Sequence, residues 1–256
     1  MFKIKFNNNE KLEKVYNIVK EDKELHTYWS CSNITAIDRL HLTDHGRVHI
    51  AIVTNRALKI LRMLHEHGVV TGIEKDHKLK YEDAEVLVFL AAILHDIGQI
   101  VHRDNHALIG AALAPRFTEK YLDSIYSPED KARMTSDICH AIFTHRESSK
   151  PLTIEAGVIR VADALDMEKG RAEISFSLIG STSIHSVSAM AIKEVEIIKG
   201  VKKPIRIKIS MANSSGIFQI DELLRHKLKN SMIEEYIEVH ASIDGEEEKL
   251  IDVVEI

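Results

Sequence analysis

A long run, Ala84 to Leu94, apolar except for Glu85, ends in His95-Asp96 and is followed at once by Ile97-Gly98. Nothing else in the chain constrains the fold as strongly. The run is longer than most strands and is read as a buried helix. An ionisable pair at the edge of such a run needs a compensating partner, because burying unpaired charge is expensive. A bound metal ion accepts an imidazole and a carboxylate together. Further ligand types lie in order along the chain: His45 before the pair, His106 and His145 after it, and Asp163 last.

The chain has 256 residues, 45% of them hydrophobic, enough for one large domain or a domain with a smaller companion. A net charge of -5 gives no strong nucleic-acid signal. No apolar stretch approaches the length that crosses a bilayer, and the N-terminus lacks the apolar segment of a signal peptide. Cys31 and Cys139 form no spacing motif, so a reduced, cytoplasmic setting is expected. Histidine is the unusual component: 11 of the 15 fall between His41 and His145. Neutral imidazole is a common ligand of first-row transition metals. His65, His67 and His77 are read as solvated.

Phe2, Ile4 and Phe6 alternate with lysines and suggest a short strand. Helices are expected over Glu10 to about Lys23, His45 to Leu64 with Gly68 as stop, and Ala84 to Leu94. Others follow over His106 to Tyr121 (bent at Pro115), from Ser127-Pro128, and from Thr153 to Gly170. Beyond Ile192 the pattern changes. Strands are expected at Val195–Ile198, Ile205–Ile209, Tyr236–Ile243 and Leu250–Val254, with a turn at Asp244-Gly245 and a helix near Ile220–Leu228. The expected fold is mainly α: an all-helical domain over residues 1–182, with the short N-terminal strand, then a small β-rich α+β domain over 183–256.

Three stretches, D44-H45-G46-R47-V48, L94-H95-D96-I97-G98 and V161-A162-D163-A164-L165-D166, stand in an order that resembles the HD superfamily of metal-dependent phosphohydrolases. The resemblance covers roughly residues 40 to 170 and is closest to archaeal-type HD-domain proteins of undefined substrate. It implies His45, His95, Asp96 and Asp163 as core metal ligands. Neighbouring helix residues point about 100° apart, so a shared ion would sit near the helix end, where Gly98 turns the chain away, or Asp96 would bridge two ions. H106-A-L-I-G110 and T144-H145-R146-E147 resemble stretches of two-metal members. If His106 and His145 ligate, two ions share Asp96; in one-metal relatives such histidines contact phosphate or orient water. His41, His49, His102 and His140 are read as supporting or structural, and Asp166 as orienting a ligand or facing solvent.

The resemblance further implies hydrolysis of a nucleotide or other small phosphate ester by a metal-activated hydroxide. One or two divalent ions of Mn, Fe, Co, Ni or Zn are expected. Asp96 and His102 are the expected catalytic residues, His102 protonating the leaving oxygen. Arg103 and Arg146 are the expected phosphate ligands, with Lys169 and Arg171 as weaker candidates. Glu147-Ser148-Ser149-Lys150 stands where the cyclic-dinucleotide branch carries Gly-Tyr-Pro, which argues against that branch. Gln99 stands where many members carry lysine. Alternatives from the same resemblance are a di-iron oxygenase and a non-catalytic nucleotide-binding sensor. The C-terminal unit is open to three roles: binding a regulator, completing the substrate cleft, or pairing subunits into a homo-oligomer through an edge strand. The partner expected is a small phosphorylated substrate, not a membrane.

Overall fold

A computed structural model describes residues 1–169 and 184–243 of the chain. The fold is mainly helical, with a small three-stranded sheet near the C-terminus. Helices α1 (Glu10–Glu21) and α2 (Lys23–Asn33) lead into a short π-helix, Ile34–Arg39. Then come α3 (Arg47–Glu66), α4 (Gly72–His77), α5 (Tyr81–Leu94), α6 (His106–Leu122), α7 (Pro128–Thr144) and α8 (Ile154–Ala164). Among the described residues, no helix is long and apolar enough to cross a membrane.

The apolar run is the central helix. Every residue of α5 from Asp83 to Leu94 is buried, so it shows no polar face. That is the signature of a helix surrounded by others rather than lying on a surface. α1, α3, α7 and α8 pack around it. Its last turn leaves carbonyls without intrahelical donors; the Trp29 indole donates to the Ile93 carbonyl at 3.0 Å. Ser127 caps α7 by accepting from the Asp130 N–H at 3.2 Å, with Pro128 at the first helical position, as its sequence demands.

Several boundaries differ from expectation. Phe2 to Phe6 form no strand. Their alternation is real, with the lysines exposed, but among the described residues no neighbouring strand offers a ladder. Side chains serve the backbone instead: Tyr16 donates to the Phe2 carbonyl at 2.7 Å and Arg62 to that of Lys5 at 2.7 Å. The first helix stops at Glu21 because the buried Asp22 carboxylate caps a second helix, accepting from the N–H groups of Glu24 and Leu25. The third begins at Arg47, after Asp44 has accepted from the Gly46 and His49 N–H groups. α6 runs through Pro115 to Leu122. The helix from Thr153 ends at Ala164, well short of Gly170.

After α9 (Ile184–Ala191), strands β1 (Ile192–Lys199) and β2 (Ile205–Met211) pair antiparallel. β3 (Ile237–Ile243) pairs parallel to β2, with Ile205 opposite Ile237. Between β2 and β3, a helical segment over residues 217–228 has a π-helical middle. Alternate residues of β2, Ile205, Ile207, Ile209 and Met211, are fully buried, the period of a sheet covered on that face. The expected strand Leu250–Val254, the Asp244-Gly245 turn, Gly170 and the 182/183 domain boundary lie outside the described residues.

Candidate metal centre

Local geometry brings the His-Asp pair to other elements. Beyond Leu94 the chain leaves the α-helix, and Ile97–Ile100 form a 3-10 turn. A Cβ on Gly98 would lie 2.1 Å from the His106 carbonyl oxygen, so only glycine allows this turn to seat on the start of α6. That contact carries His106 to Asp96.

Four buried imidazoles and two carboxylates converge here. Each histidine is held through Nδ1. His95 donates to the Ala92 carbonyl at 2.7 Å, His106 to that of Arg103 at 2.7 Å, and His145 to that of Ile142 at 2.6 Å. His49 donates to the Asp166 carboxylate at 2.6 Å. A carbonyl oxygen only accepts, so Nδ1 carries the proton and Nε2 presents a lone pair. The Nε2 atoms turn inward: His49 and His95 lie 3.1 Å apart there, His106 and His145 3.2 Å. Burial pushes the His95 imidazole down, and burial with the neighbouring His95 pushes His145 well down, so both stay neutral. Lone pairs facing each other at such distances repel unless a cation lies between them.

Asp96 divides its oxygens between the two pairs. Oδ2 lies 3.4 Å from His49 Nε2 and 3.5 Å from His95 Nε2. Oδ1 lies 3.1 Å from His106 Nε2 and 4.0 Å from His145 Nε2. Asp163 brings Oδ1 to 3.3 Å from His49 Nε2 and 3.8 Å from His95 Nε2. Burial alone would raise both carboxyls. The Lys227 ammonium outweighs burial at Asp163 and holds that carboxyl well below the ordinary range. Two ligand sets form, His49-His95-Asp96 and Asp96-His106-His145. Neutral nitrogens and ionised oxygens at this spacing fit divalent transition metals.

His45, the first expected ligand, stands apart from these two sets. His45 precedes α3, and its ring joins neither set. Its Nδ1 donates to the Thr43 carbonyl at 2.6 Å, and its Nε2 accepts from Arg103 at 3.3 Å. His49, expected only as a supporting residue, stands in the set with His95 and Asp96, and its Nδ1 is held by Asp166. One signal was available: Asp44, two residues before Gly46, reads as a cap, which starts the helix after His45 and turns His49 inward.

His102 also departs from expectation. Its side chain is 60% exposed, accepts from the Asp104 N–H at 2.9 Å, and lies outside the cavity wall. The left-handed backbone at Asn105 turns the loop so that His106, not His102, enters the cluster. His140 holds the following loop, accepting from the Leu152 N–H at 3.0 Å. Arg103 and Arg146 both line a cavity of about 480 Å³ that opens onto Asp96, His106, His145 and Asp163. Arg171 lies outside the described residues. Lys227, from the 217–228 segment, reaches this cavity and donates to Asp163 Oδ2. Nothing in its local sequence marks it.

The family model described as HD domain matches residues 49–168, a span that begins at His49 and excludes His45. An uncharacterized protein of Methanocaldococcus jannaschii, MJ1020, is 44% identical over 232 residues, covering 91% of this chain and 89% of that protein. Ribonuclease Y of Geotalea uraniireducens is 38% identical over 78 residues, 29% of this chain and 12% of that protein. Ribonuclease Y of Acidothermus cellulolyticus is 38% identical over 82 residues, 31% of this chain and 14% of that protein.

Proposed function

The chain belongs to the HD superfamily of metal-dependent phosphohydrolases, and from that premise we propose that it hydrolyses a nucleotide or other small phosphate ester. The observation that carries the reading is the division of Asp96, one oxygen toward each imidazole pair. With two ions, His49, His95 and Asp163 would hold one and His106 and His145 the other, with an Asp96 oxygen within reach of each. Bound there, divalent ions would lower the pKa of water and polarise a phosphoryl oxygen.

The chain's own residues supply the rest. The Nδ1 hydrogen bonds fix each ring so that binding requires no reorientation. His45, by accepting from Arg103, holds that guanidinium at the cavity wall. Arg103 and Arg146 are placed to meet charge on the non-bridging phosphoryl oxygens. His102 is withdrawn from the role of proton donor. A cavity of about 480 Å³ suits a small ligand rather than an enclosed polymer. The short match to ribonuclease Y makes an RNA phosphodiester a worthwhile competitor.

The test is a turnover screen of the full chain loaded with Mn, Fe, Co, Ni or Zn. Substrates would be phosphomonoesters, nucleoside triphosphates, phosphodiesters and a short RNA. Release of phosphate from a small ester, lost in Asp96→Ala, is the expected result. A fully loaded protein that cleaves none of them overturns the reading, and a mixed-valent iron pair with oxygen consumption would replace it with an oxygenase.

A further inference from the structure

Lys227 belongs to the C-terminal unit, yet its ammonium sits at the edge of the metal centre. It donates to Asp163 Oδ2, whereas Asp163 Oδ1 is the oxygen facing His49 and His95. The carboxylate thus serves the cluster with one oxygen and the lysine with the other. The Lys227 side chain is only 12% exposed, and the residue lines the cavity together with Arg103 and Arg146. An ammonium carries three N–H donors, and Asp163 takes one.

This position is built into the fold. Arg160, one helical turn before Asp163 on α8, donates from Nε to the Lys227 carbonyl at 3.0 Å and from Nη2 to the His226 carbonyl at 3.3 Å. Its Nη1 donates to the Arg146 carbonyl at 2.9 Å and the Ser149 carbonyl at 2.5 Å. One buried guanidinium therefore holds the backbone carbonyls of two cationic residues, Lys227 and Arg146. The seat is close: a Cβ on Gly157 would come within 1.8 Å of the Ser231 carbonyl oxygen, just beyond the lysine's segment. Ala189, Gln219 and Leu223 of the same unit continue the cavity wall.

We infer that Lys227 is a phosphate anchor, and that the C-terminal unit closes and selects the substrate side of the cavity. The ligand chemistry rests on the phosphohydrolase reading; the placement of a fixed cation beside the cluster does not. A phosphoryl group set against the metal centre meets Lys227 from one side and Arg103 and Arg146 from the other. The part of the ligand beyond the phosphate meets Leu223 and Gln219.

The test is calorimetric binding of inorganic phosphate and of adenosine monophosphate to the metal-loaded full chain. Lys227→Met should weaken phosphate binding about 10- to 100-fold, and Lys227→Arg should restore most of that loss. Metal content should stay at the parent level in both, because Asp163 Oδ1 still faces the cluster. Unchanged phosphate affinity in fully loaded Lys227→Met overturns the anchor. So does metal loss with unchanged phosphate affinity in the fraction that stays loaded, since Lys227 would then only support Asp163. Leu223→Trp should weaken adenosine monophosphate binding more than phosphate binding, and equal effects would overturn selection by this unit. If phosphate binding depends on Lys227 but no ester is cleaved, the anchor stands and the hydrolase reading falls.

Discussion

Two buried charged assemblies in this molecule look alike in composition and differ in how they are satisfied. In the C-terminal sheet, Glu238 accepts from the backbone N–H groups of Val201, Lys202 and Lys203, and from Arg206 Nε at 2.6 Å. Protein donors meet the carboxylate completely enough that its pKa falls to about 2. Burial would raise it, but the Val201 N–H and the Arg206 guanidinium outweigh burial. In the helical domain, Asp96 and Asp163 face imidazole lone pairs that also face one another. The first assembly is closed by hydrogen bonds and holds a loop to a strand. The second is held from outside through the Nδ1 hydrogen bonds, and its Nε2 atoms and carboxylate oxygens converge at the centre. Buried charge met by protein donors is architecture, whereas imidazole nitrogens and carboxylate oxygens converging on one point mark a place for a cation.

The sharpest break in that contrast is Asp96→Ala. It removes the group both imidazole pairs share, so turnover should fall at least about a thousand-fold and bound metal should drop, as read by elemental analysis. The helical circular dichroism should persist, because the residue caps no helix through its side chain. Next comes a paired comparison. His49→Ala should lose metal from the His49-His95-Asp96 set, whereas His45→Ala should keep the parent metal content. Metal retained by the first and lost by the second would reverse the ligand assignment.

Asp166→Asn tests whether the rigid outer shell matters. It weakens the hold on His49 without touching Nε2, so metal affinity should fall about 10- to 100-fold in a chelator competition. Glu238→Gln should act on the other assembly alone. Its folded pKa lies below the ordinary carboxylate value of 4.5. The stability it contributes is therefore full above that value and is lost as pH falls toward 2. Urea denaturation should show a deficit of about 1–3 kcal/mol at neutral pH, shrinking toward zero in acid, with metal content unchanged. A constant deficit at every pH would show that shape, not charge, explains the loss.

The parts legible in the sequence were those set by local rules. The buried α5, the Ser127-Pro128 start of α7 and the alternating β2 each follow from burial periodicity or capping within a few residues. The N-terminal strand failed because a strand needs a neighbour, and pairing is not a local property. That His49 rather than His45 joins the set with His95 and Asp96 has a similar reason. On a continuous helix, His45 and His49 would share a face, and only the start of α3 at Arg47 separates them.

The sequence by itself determined the chemistry available: His-Asp at the end of a buried helix, further histidines and Asp163 in order, and a change of pattern near Ile192. These follow from residue type and periodicity, which act over one or two helical turns. Only the tertiary structure decided which lone pairs meet. It turned His49 and His106 inward and left His102 at the surface, closed Gly98 onto the start of α6, and brought Lys227 to Asp163 across 64 residues. Contacts at that separation depend on how whole elements pack, and no local pattern encodes them.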